Sequence, residues 1–541
     1  MYSGHDIISY HQQTKHHTNR YARSMGYLDW ATQPDPFRRY AGAPIFPLPL
    51  SRNLPDAAYD ALYQPQTIPA QTLSPTALGV FFGNALGLSA WKEYGDNRWE
   101  LRCNPSSGNL HPTEGYCIAG PEAGITQNAA VYHYGPRAHV FEMRAVLSAP
   151  AWQEMTVGLP PQVFFVGLSS IHWREAWKYG ERAWRYCQHD AGHALAALSY
   201  SGAALGWRVL LLDGCGDARI RQGLGLPAAT AEEGPEAETP DMLCAVVPGK
   251  HDSPVPGVLP ALNRPPEVWL GTPNQLSESR VHWEIIEEVA AACEKPETQL
   301  PIYLQIPPTS DIASITSEPD ARQIFQQRRS AVAMDGQTAL NQERFYQMLQ
   351  RCCPGTWPPW WTWPYEAEVH LVLFVHRVTG MDPGIYLLQR NPAHGYQLRS
   401  AFRGDFLWES PSKCPPDLPL FLLARGDVRR LAASLCCDQE IAGDGAFMAG
   451  MIARFESVVE MPWRYRRLFW ETGMIGQVLY LEAEAAGIRG TGIGCFFDDP
   501  VHETLGIEDL SFQSLYHFTV GGPVDDPRLR TLPPYPVERY S

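Results

Sequence analysis

Pro105-Ser106-Ser107-Gly108-Asn109-Leu110-His111-Pro112-Thr113-Glu114-Gly115-Tyr116 is the stretch on which the reading of this chain turns. Its Pro-Ser-Ser-Gly start makes a tight turn with free backbone N–H groups and two hydroxyls. Gly108 has no Cβ, so such a turn can come close to a planar ligand. Arg102 stands just before it. The residues beyond read as two strands joined by a connection, with Tyr132 in the second strand and a turn before His139.

The same order of residues returns further along. Glu368 and Tyr386 stand 254 residues after Glu114 and Tyr132, and His394 and Arg399 stand 255 after His139 and Arg144. A second block shifts by 284: Arg182, Gly192, Leu195 and Gly206 answer to Arg466, Gly476, Leu479 and Gly490. Both blocks are Ala- and Leu-rich with helical spacing, and Gly206 and Gly490 each read as the glycine that closes a helix. A third block matches Val247 and Gly249 to Val520 and Gly522. The order holds throughout, and the shift changes only between blocks, as differing loop lengths would produce. The spacing points to tandem duplication.

This divides the chain into an N-terminal arm (1–50), a first copy (51–265), a linker with the start of the second copy (266–320), and the body of the second copy (321–541). The arm is aromatic and basic and is expected to pack over the core. The connector is Pro- and Gly-rich from His251 to Asn274 and polar from Pro301 to Pro319. Long helices mixed with short strands, without regular alternation, predict an α+β layer architecture.

Composition bounds the function. The 541 residues include 17 Trp and are 45% hydrophobic, which excludes disorder and provides a large core. Lys and Arg number 43 against 58 Asp and Glu, a net charge of −15. Such a chain lacks the basic footprint for nucleic acid. The most apolar stretch, Ala191 to Leu212, carries His193, Ser199, Tyr200, Ser201 and Arg208, a set that hydrocarbon would not accept. The N-terminus has no apolar signal core. The twelve cysteines include the adjacent pairs Cys352-Cys353 and Cys436-Cys437 but no CxxC. These features lead to an expectation of reduced thiols, a cytoplasmic location and no membrane partner.

Three further candidates carry chemistry. Arg328-Arg329-Ser330 sets two guanidinium groups beside a hydroxyl, which suits a phosphate. Lys178-Tyr179 can move protons in a closed site. Gly490-Thr491-Gly492-Ile493-Gly494 allows close approach of a ligand, or stops a helix. Each also has an ordinary structural reading, as a charge pair, amphipathic side chains or a turn. His189 and His193 share a helix face, but no Glu follows the first His as in a zincin, and they are assigned to packing. No metal is expected.

Taken as a set, these motifs resemble the nitroreductase-like superfamily. The Pro105–Tyr116 run resembles its flavin-binding loop, most of all that of the SagB-type branch, the dehydrogenases that oxidise azolines to azoles in peptide natural products. Lys178-Tyr179, followed by Arg182, Tyr186 and Gly192-His193, is similar to that branch's Lys-Tyr motif and the helix after it. Arg328-Arg329-Ser330 resembles the N-terminal phosphate grip. Gly492-Ile493-Gly494 and Val520-Gly-Gly-Pro523 resemble C-terminal elements.

The resemblance implies two nitroreductase-like domains, each a central mixed or antiparallel sheet with flanking helices, paired within one chain as a pseudo-dimer. In such dimers FMN lies at the interface, with Arg-Arg-Ser of one subunit facing Pro-Ser-Ser of the other. Here the copies divide those parts. At the 254 shift, Pro105–Gly108 lands on Pro359-Trp360-Trp361-Thr362, and at the 284 shift Lys178-Tyr179 lands on Pro462-Trp463. No Arg occurs between Arg52 and Arg98, where the first copy's Arg-Arg-Ser would fall.

One composite FMN site is therefore expected. Arg328, Arg329 and Ser330, with Arg528 or Arg530, would hold the phosphate or the N1–C2 edge. Pro105, Ser106, Ser107 and Gly108 would meet the ring near N5, with Arg102 as a neighbour. Gly492, Ile493 and Gly494 would approach the flavin. Lys178 and Tyr179 would exchange the substrate proton as hydride passes between N5 and a small-molecule or peptide-derived substrate. The alternatives are an NAD(P)H-dependent nitro or quinone reductase, and a non-catalytic flavin-binding protein. The expected assembly is a monomer, itself the pseudo-dimer, or a higher assembly of it.

Overall fold

Runs such as Val369-His-Leu-Val-Leu-Phe-Val375 carry too many large apolar residues to face water on either side, and they form covered central strands. The computed structural model describes residues 4–51, 53–64, 67–226, 236–249, 266–298 and 319–540. Stretches 251–265 and 301–318 of the expected connector lie outside the described residues.

The first half contains β1 (Ile45–Pro47), β2 (Leu88–Tyr94), β3 (Asn97–Arg102), β4 (Thr113–Ala119), β5 (Ala130–Gly135), β6 (Val140–Val146), β7 (Phe164–Ser170), β8 (Trp207–Leu211) and β9 (Thr239–Pro248). The second contains β10 (Val369–Val375), β11 (Gly384–Leu388), β12 (Leu420–Arg425), β13 (Phe447–Arg454), β14 (Arg489–Ile493), β15 (Phe512–Gly521) and β16 (Arg530–Leu532). The helices that matter for the site are α1 (Gly4–Gln13), α2 (His172–Tyr179), α3 (Ala183–Ala204), α4 (Asp217–Leu224), α5 (Ala321–Gln327), α6 (Arg464–Ala485) and α7 (Asp498–Leu505).

The first sheet runs β1-β6-β5-β4-β7-β9-β8 and the second β12-β11-β10-β13-β15-β14. Apart from the added edge strand β1, the two orders are the same, and all pairs are antiparallel. Even the irregularities agree: the register slips at Tyr132 in β5 and at Tyr386 in β11. The fold is thus α+β, with two like halves paired within one chain.

Helices α3 and α6 cross at the centre. Each has 22 residues. Every residue of α3 is buried, because one side meets its own sheet and the other meets α6. Close approach requires glycine on both helices. A Cβ on Gly192 would collide with the Trp470 carbonyl oxygen, and one on Gly473 with that of His189. One continuous apolar core, which includes Leu195 and Leu479, runs across both halves.

Reciprocal ion pairs fasten the seam. Arg185 on α3 reaches Asp498, the first residue of α7, at 3.1 Å. Arg466 on α6 reaches Asp217, the first residue of α4, at 2.8 Å. Both carboxylates sit where a helix N-terminus favours negative charge. Burial alone would raise the Asp498 pKa, but Arg182 and Arg185 hold it well below the usual range.

These contacts correct the sequence register. Ala183 aligns with Arg464, Gly192 with Gly473, Arg185 with Arg466 and Asp217 with Asp498, a shift of 281 rather than 284. A slip of three residues is nearly one helical turn, so an Ala-rich pattern hardly registers it. Gly206 closes α3 with φ +68°, as expected, but Gly487 closes α6 with φ +72°, and Gly490 lies inside β14. His394 and Arg399 are not counterparts of His139 and Arg144. The second half has a helix, Gly395–Ala401, where the first has a tight turn into β6. The expected arm also ends too late, since β1 is already part of the first sheet.

Candidate functional site

The loop after β3 is held from within. The Ser106 hydroxyl accepts from the His111 amide at 2.8 Å, and the Asn109 side chain donates to the Glu100 carbonyl at 2.8 Å. Gly108, Asn109 and His111 all have left-handed backbones. Ser107 donates from its amide and its hydroxyl to Asp190 on α3, each at 3.1 Å. Burial pushes the Asp190 carboxyl up to about 7, opposed by Ser106 and Ser107. Pro105 is buried, Ser106 and Ser107 are half-buried and Gly108 is exposed. Arg102 turns away: its guanidinium donates to the Pro36 carbonyl and lies over Phe37, holding the arm.

Lys178 and Tyr179 end α2, and a buried polar chain aims that helix. Arg174 donates to the His111 carbonyl at 2.7 Å and pairs with Glu114. Glu114 and Glu142 each hydrogen-bond the His133 ring at 2.9 Å. Burial alone would lower the His133 pKa, yet these two carboxylates hold it at about 9. Lys178 and Tyr179 are half-buried, with the ammonium 5.2 Å from the phenol ring. A Cβ on Gly108 would be 2.5 Å from the Tyr179 hydroxyl, so the loop and the Lys-Tyr pair are in contact. One turn back on α2, Glu175 is fully buried among Asp190, Lys178 and Ser106. Burial, then Asp190, pushes its acid well up. Nothing in the local sequence marked Glu175 or Asp190.

The second half supplies the opposite wall. Arg328, after α5, donates to the carbonyls of Cys103 at 3.1 Å and Arg102 at 3.0 Å. It is 4% exposed and lies over the Tyr480 ring. It therefore stitches the halves together at the root of the 105–108 loop. Arg329 donates to the Ser89 carbonyl at 3.0 Å, and Ser330 shares a 2.8 Å hydrogen bond with the Tyr480 hydroxyl. Ser330 runs beside Gly490 of β14.

Cations gather here beyond those expected. Burial and Arg328 push Arg329 down to about 10, with Arg489 adding to the effect. Lys92 on β2 is lowered by burial, then by Arg329 and Arg489. Glu484 faces Arg489, Arg328 and Arg329, and Asp525 binds Arg489 at 2.6 Å. Lys92 and Arg489 were missed because only the paired strands and the seam bring them to Arg329. By contrast, Arg528 lies on Asp526 and is 68% exposed, and Arg530 is 75% exposed, 3.7 Å from Glu93. Each has a carboxylate of its own, which corrects the expectation that they reach the phosphate grip.

The glycine run is corrected as well. A Cβ at Gly490, Gly492 or Gly494 would strike Phe518, Tyr516 or Tyr186 respectively. The chain's own rings thus require these glycines. Ile493 is buried in the outer core of the second sheet. Gly492 and Gly494 remain half-exposed, and the Gly494 carbonyl accepts from Arg182 and Tyr186 of the first half.

The pseudo-equivalent place is closed. Trp360, Trp361 and Thr362 pack on β8, the counterpart of β14. Trp360 donates to the Arg351 carbonyl, Trp361 to Ser199, and Thr362 to the Val209 carbonyl at 2.9 Å. Ser199 stands where α6 has Tyr480, at the 281 shift. At the same shift Lys178 and Tyr179 answer to Val459 and Glu460 rather than Pro462-Trp463, and the pair is absent either way. His189 and His193 pack against Tyr516, at ring distances of 4.2 and 5.9 Å. Among the described residues no group of three or more His, Cys, Asp or Glu could hold a metal ion, and no helix is long and apolar enough to cross a membrane.

A crystal structure from Anabaena variabilis, described as that of a candidate nitroreductase, superposes on 97% of this chain and 100% of its own, with a TM-score of 0.66 and 20% identity. The fold is therefore nitroreductase-like over both halves. An E. coli microcin synthetase complex with truncated pro-microcin covers 37% of this chain and 75% of its own, at 17% identity and a TM-score of 0.28. A Ralstonia eutropha candidate nitroreductase covers 42% of this chain and 97% of its own, at 14% identity and a TM-score of 0.28. No protein-family profile matches the chain, and no curated protein does.

Proposed function

We infer that the chain binds one FMN at the seam and is an FMN-dependent oxidoreductase, of the kind that takes hydride from a small-molecule or peptide-derived substrate. One observation carries this reading. The 105–108 loop of the first half and segment 328–330 of the second meet through the Arg328 hydrogen bonds, and the pseudo-related place is filled by Trp360 and Trp361. Tandem duplication followed by loss of opposite parts accounts for that division.

The donor set fits the group at its phosphate end. Arg329 lies close enough to Lys92 to lower its pKa, an arrangement that favours a bound anion, while Arg489 beside them is paired with Asp525. At the ring end, exposed Gly108 leaves the loop open to a planar group, while Ser106 and Ser107, half-buried, fix its shape through His111 and Asp190. When bound, FMN would supply a two-electron hydride acceptor. The protein's own part is positioning and proton transfer. Tyr179, against Gly108, faces the loop, and Lys178 beside it can take or return a proton. Glu175, whose acid is pushed well up by burial and then by Asp190, stands behind them. The single chain already contains both halves of the site, so a monomer suffices.

Lys92→Ala separates phosphate binding from ring binding. Loss of one charge-assisted contact, about 1.5–3 kcal/mol, should weaken FMN about tenfold or more. Riboflavin, which lacks the phosphate, should bind the variant and the parent protein alike. Equal weakening of both flavins, or of neither, would count against this placement.

A further inference from the structure

Beside the cleft stand two thiols that the flavin reading does not use. Cys495 directly follows Gly494, and Cys437 lies 58 residues earlier, after the helix Arg429–Leu435. Their sulfurs are 2.8 Å apart, both residues are half-buried, and both are free thiols. Cys437 and Asp438 have φ of +54° and +57°, a left-handed step that non-glycine residues rarely take. This unusual turn sets Cys437 against Cys495.

The surroundings favour charge on one sulfur. The hydrogen bond between the thiols holds Cys495 down to about 5 against the effect of burial, with His16 and Arg182 assisting, and it pushes Cys437 up. His16 is fixed for this task. Its Nδ1 accepts from the Ala22 amide at 3.0 Å, which leaves Nε2 as the ring's donor, and its backbone pairs with Phe497, two residues beyond Cys495. Arg182 donates to the Gly494 carbonyl at 3.3 Å. An acidic thiol hydrogen-bonded to a second thiol is the arrangement of an attacking and a resolving cysteine.

We propose that Cys437 and Cys495 form a redox-active dithiol, oxidised by a hydroperoxide to an intramolecular disulfide and returned by a dithiol reductant. The Cys495 thiolate attacks one peroxide oxygen. The O–O bond breaks, Cys495 becomes a sulfenic acid and hydroxide or alkoxide leaves. The Cys437 sulfur, giving up its proton, attacks the sulfenic sulfur. The S–S bond forms and hydroxide leaves. The two thiols lose two electrons and two protons, and hydrogen peroxide ends as two waters. The sulfurs close from 2.8 Å to about 2.0 Å. That movement occurs next to Gly494, whose carbonyl holds Tyr186, the ring packed edge-on against Tyr179. The chemistry of the pair stands whether or not the cleft binds flavin.

The test is thiol mapping on the full-length reduced protein after treatment with stoichiometric hydrogen peroxide, alkylation and digestion. The expected product is one cross-linked peptide joining Cys437 to Cys495, lighter by two hydrogens than its reduced parts and lost on treatment with dithiothreitol. In Cys437→Ser the sulfenic acid on Cys495 should persist and be trapped by dimedone. In Cys495→Ser, Cys437 should stay alkylatable. The proposal is overturned if both thiols of the parent protein remain alkylatable after peroxide. It is equally overturned if Cys495 oxidises to sulfenic or sulfinic acid while Cys437 stays free.

Discussion

Asp190 shows how much a single buried side chain decides. It lies on α3, inside the core, yet it accepts hydrogen bonds from the amide and hydroxyl of Ser107 and from Ser106, all in the 105–108 loop. Burial raises its pKa from 3.8 to about 7. A carboxyl whose folded pKa is raised contributes stability that is full below its unfolded pKa and is lost as pH rises through the folded value. The loss thus falls between about pH 4 and pH 7. Asp190→Asn cannot ionise, so its unfolding free energy should gain on the parent protein's across that window, by roughly 4 kcal/mol at most, and the difference in melting temperature should rise with it and level off above. Parallel pH profiles for the two proteins would refute the assignment. At this scale the sequence showed what is local. Ser106–Gly108, Lys178-Tyr179 and Arg328–Ser330 are contiguous strings with their own chemistry, and the structure sets Gly108 against Tyr179 and Arg328 on the carbonyls of Arg102 and Cys103. Asp190, Glu175, Lys92 and Arg489 act only through contacts made across the fold, so no short string announced them. Arg528 and Arg530 show the converse error, since the nearby Asp526 and Glu93 claim them.

Among elements, the crossing of α3 and α6 governs the geometry of the cleft, since α3 carries Asp190 and α6 carries Tyr480. The helices touch backbone to backbone at Gly192 and Gly473. Gly192→Ala should push them apart and lower stability by about 1–3 kcal/mol, the usual range for overpacking. Gly404→Ala is the control, because a Cβ there meets nothing within 4 Å. Equal denaturation midpoints for the two variants would show that the crossing is slack. Both helices were legible from apolar spacing, and the strand pairs around Tyr132 and Tyr386 from their order. Helix register was not, because a three-residue slip preserves an Ala-rich face. What fixes the register is the reciprocal pairing of Arg185 with Asp498 and of Arg466 with Asp217, which no linear pattern displays.

For the molecule as a whole, the halves are alike in topology and unlike in chemistry. One seam has a half-exposed loop, Arg329 with Lys92, and a Lys-Tyr pair; its counterpart has Trp360 bonded to the Arg351 carbonyl, Trp361 to Ser199 and Thr362 to β8. A shared core and crossed ion pairs join the two halves. The central claim is one FMN per chain at the seam. Its most direct test is the flavin-to-chain ratio of the full-length protein after saturation with FMN and removal of the excess, read from the flavin absorption band. The account predicts a ratio of one, falling to none in Ser107→Trp, which places an indole where the other seam already has two. A ratio of two, a protein that takes up no FMN, or a Ser107→Trp variant that keeps its flavin would contradict it.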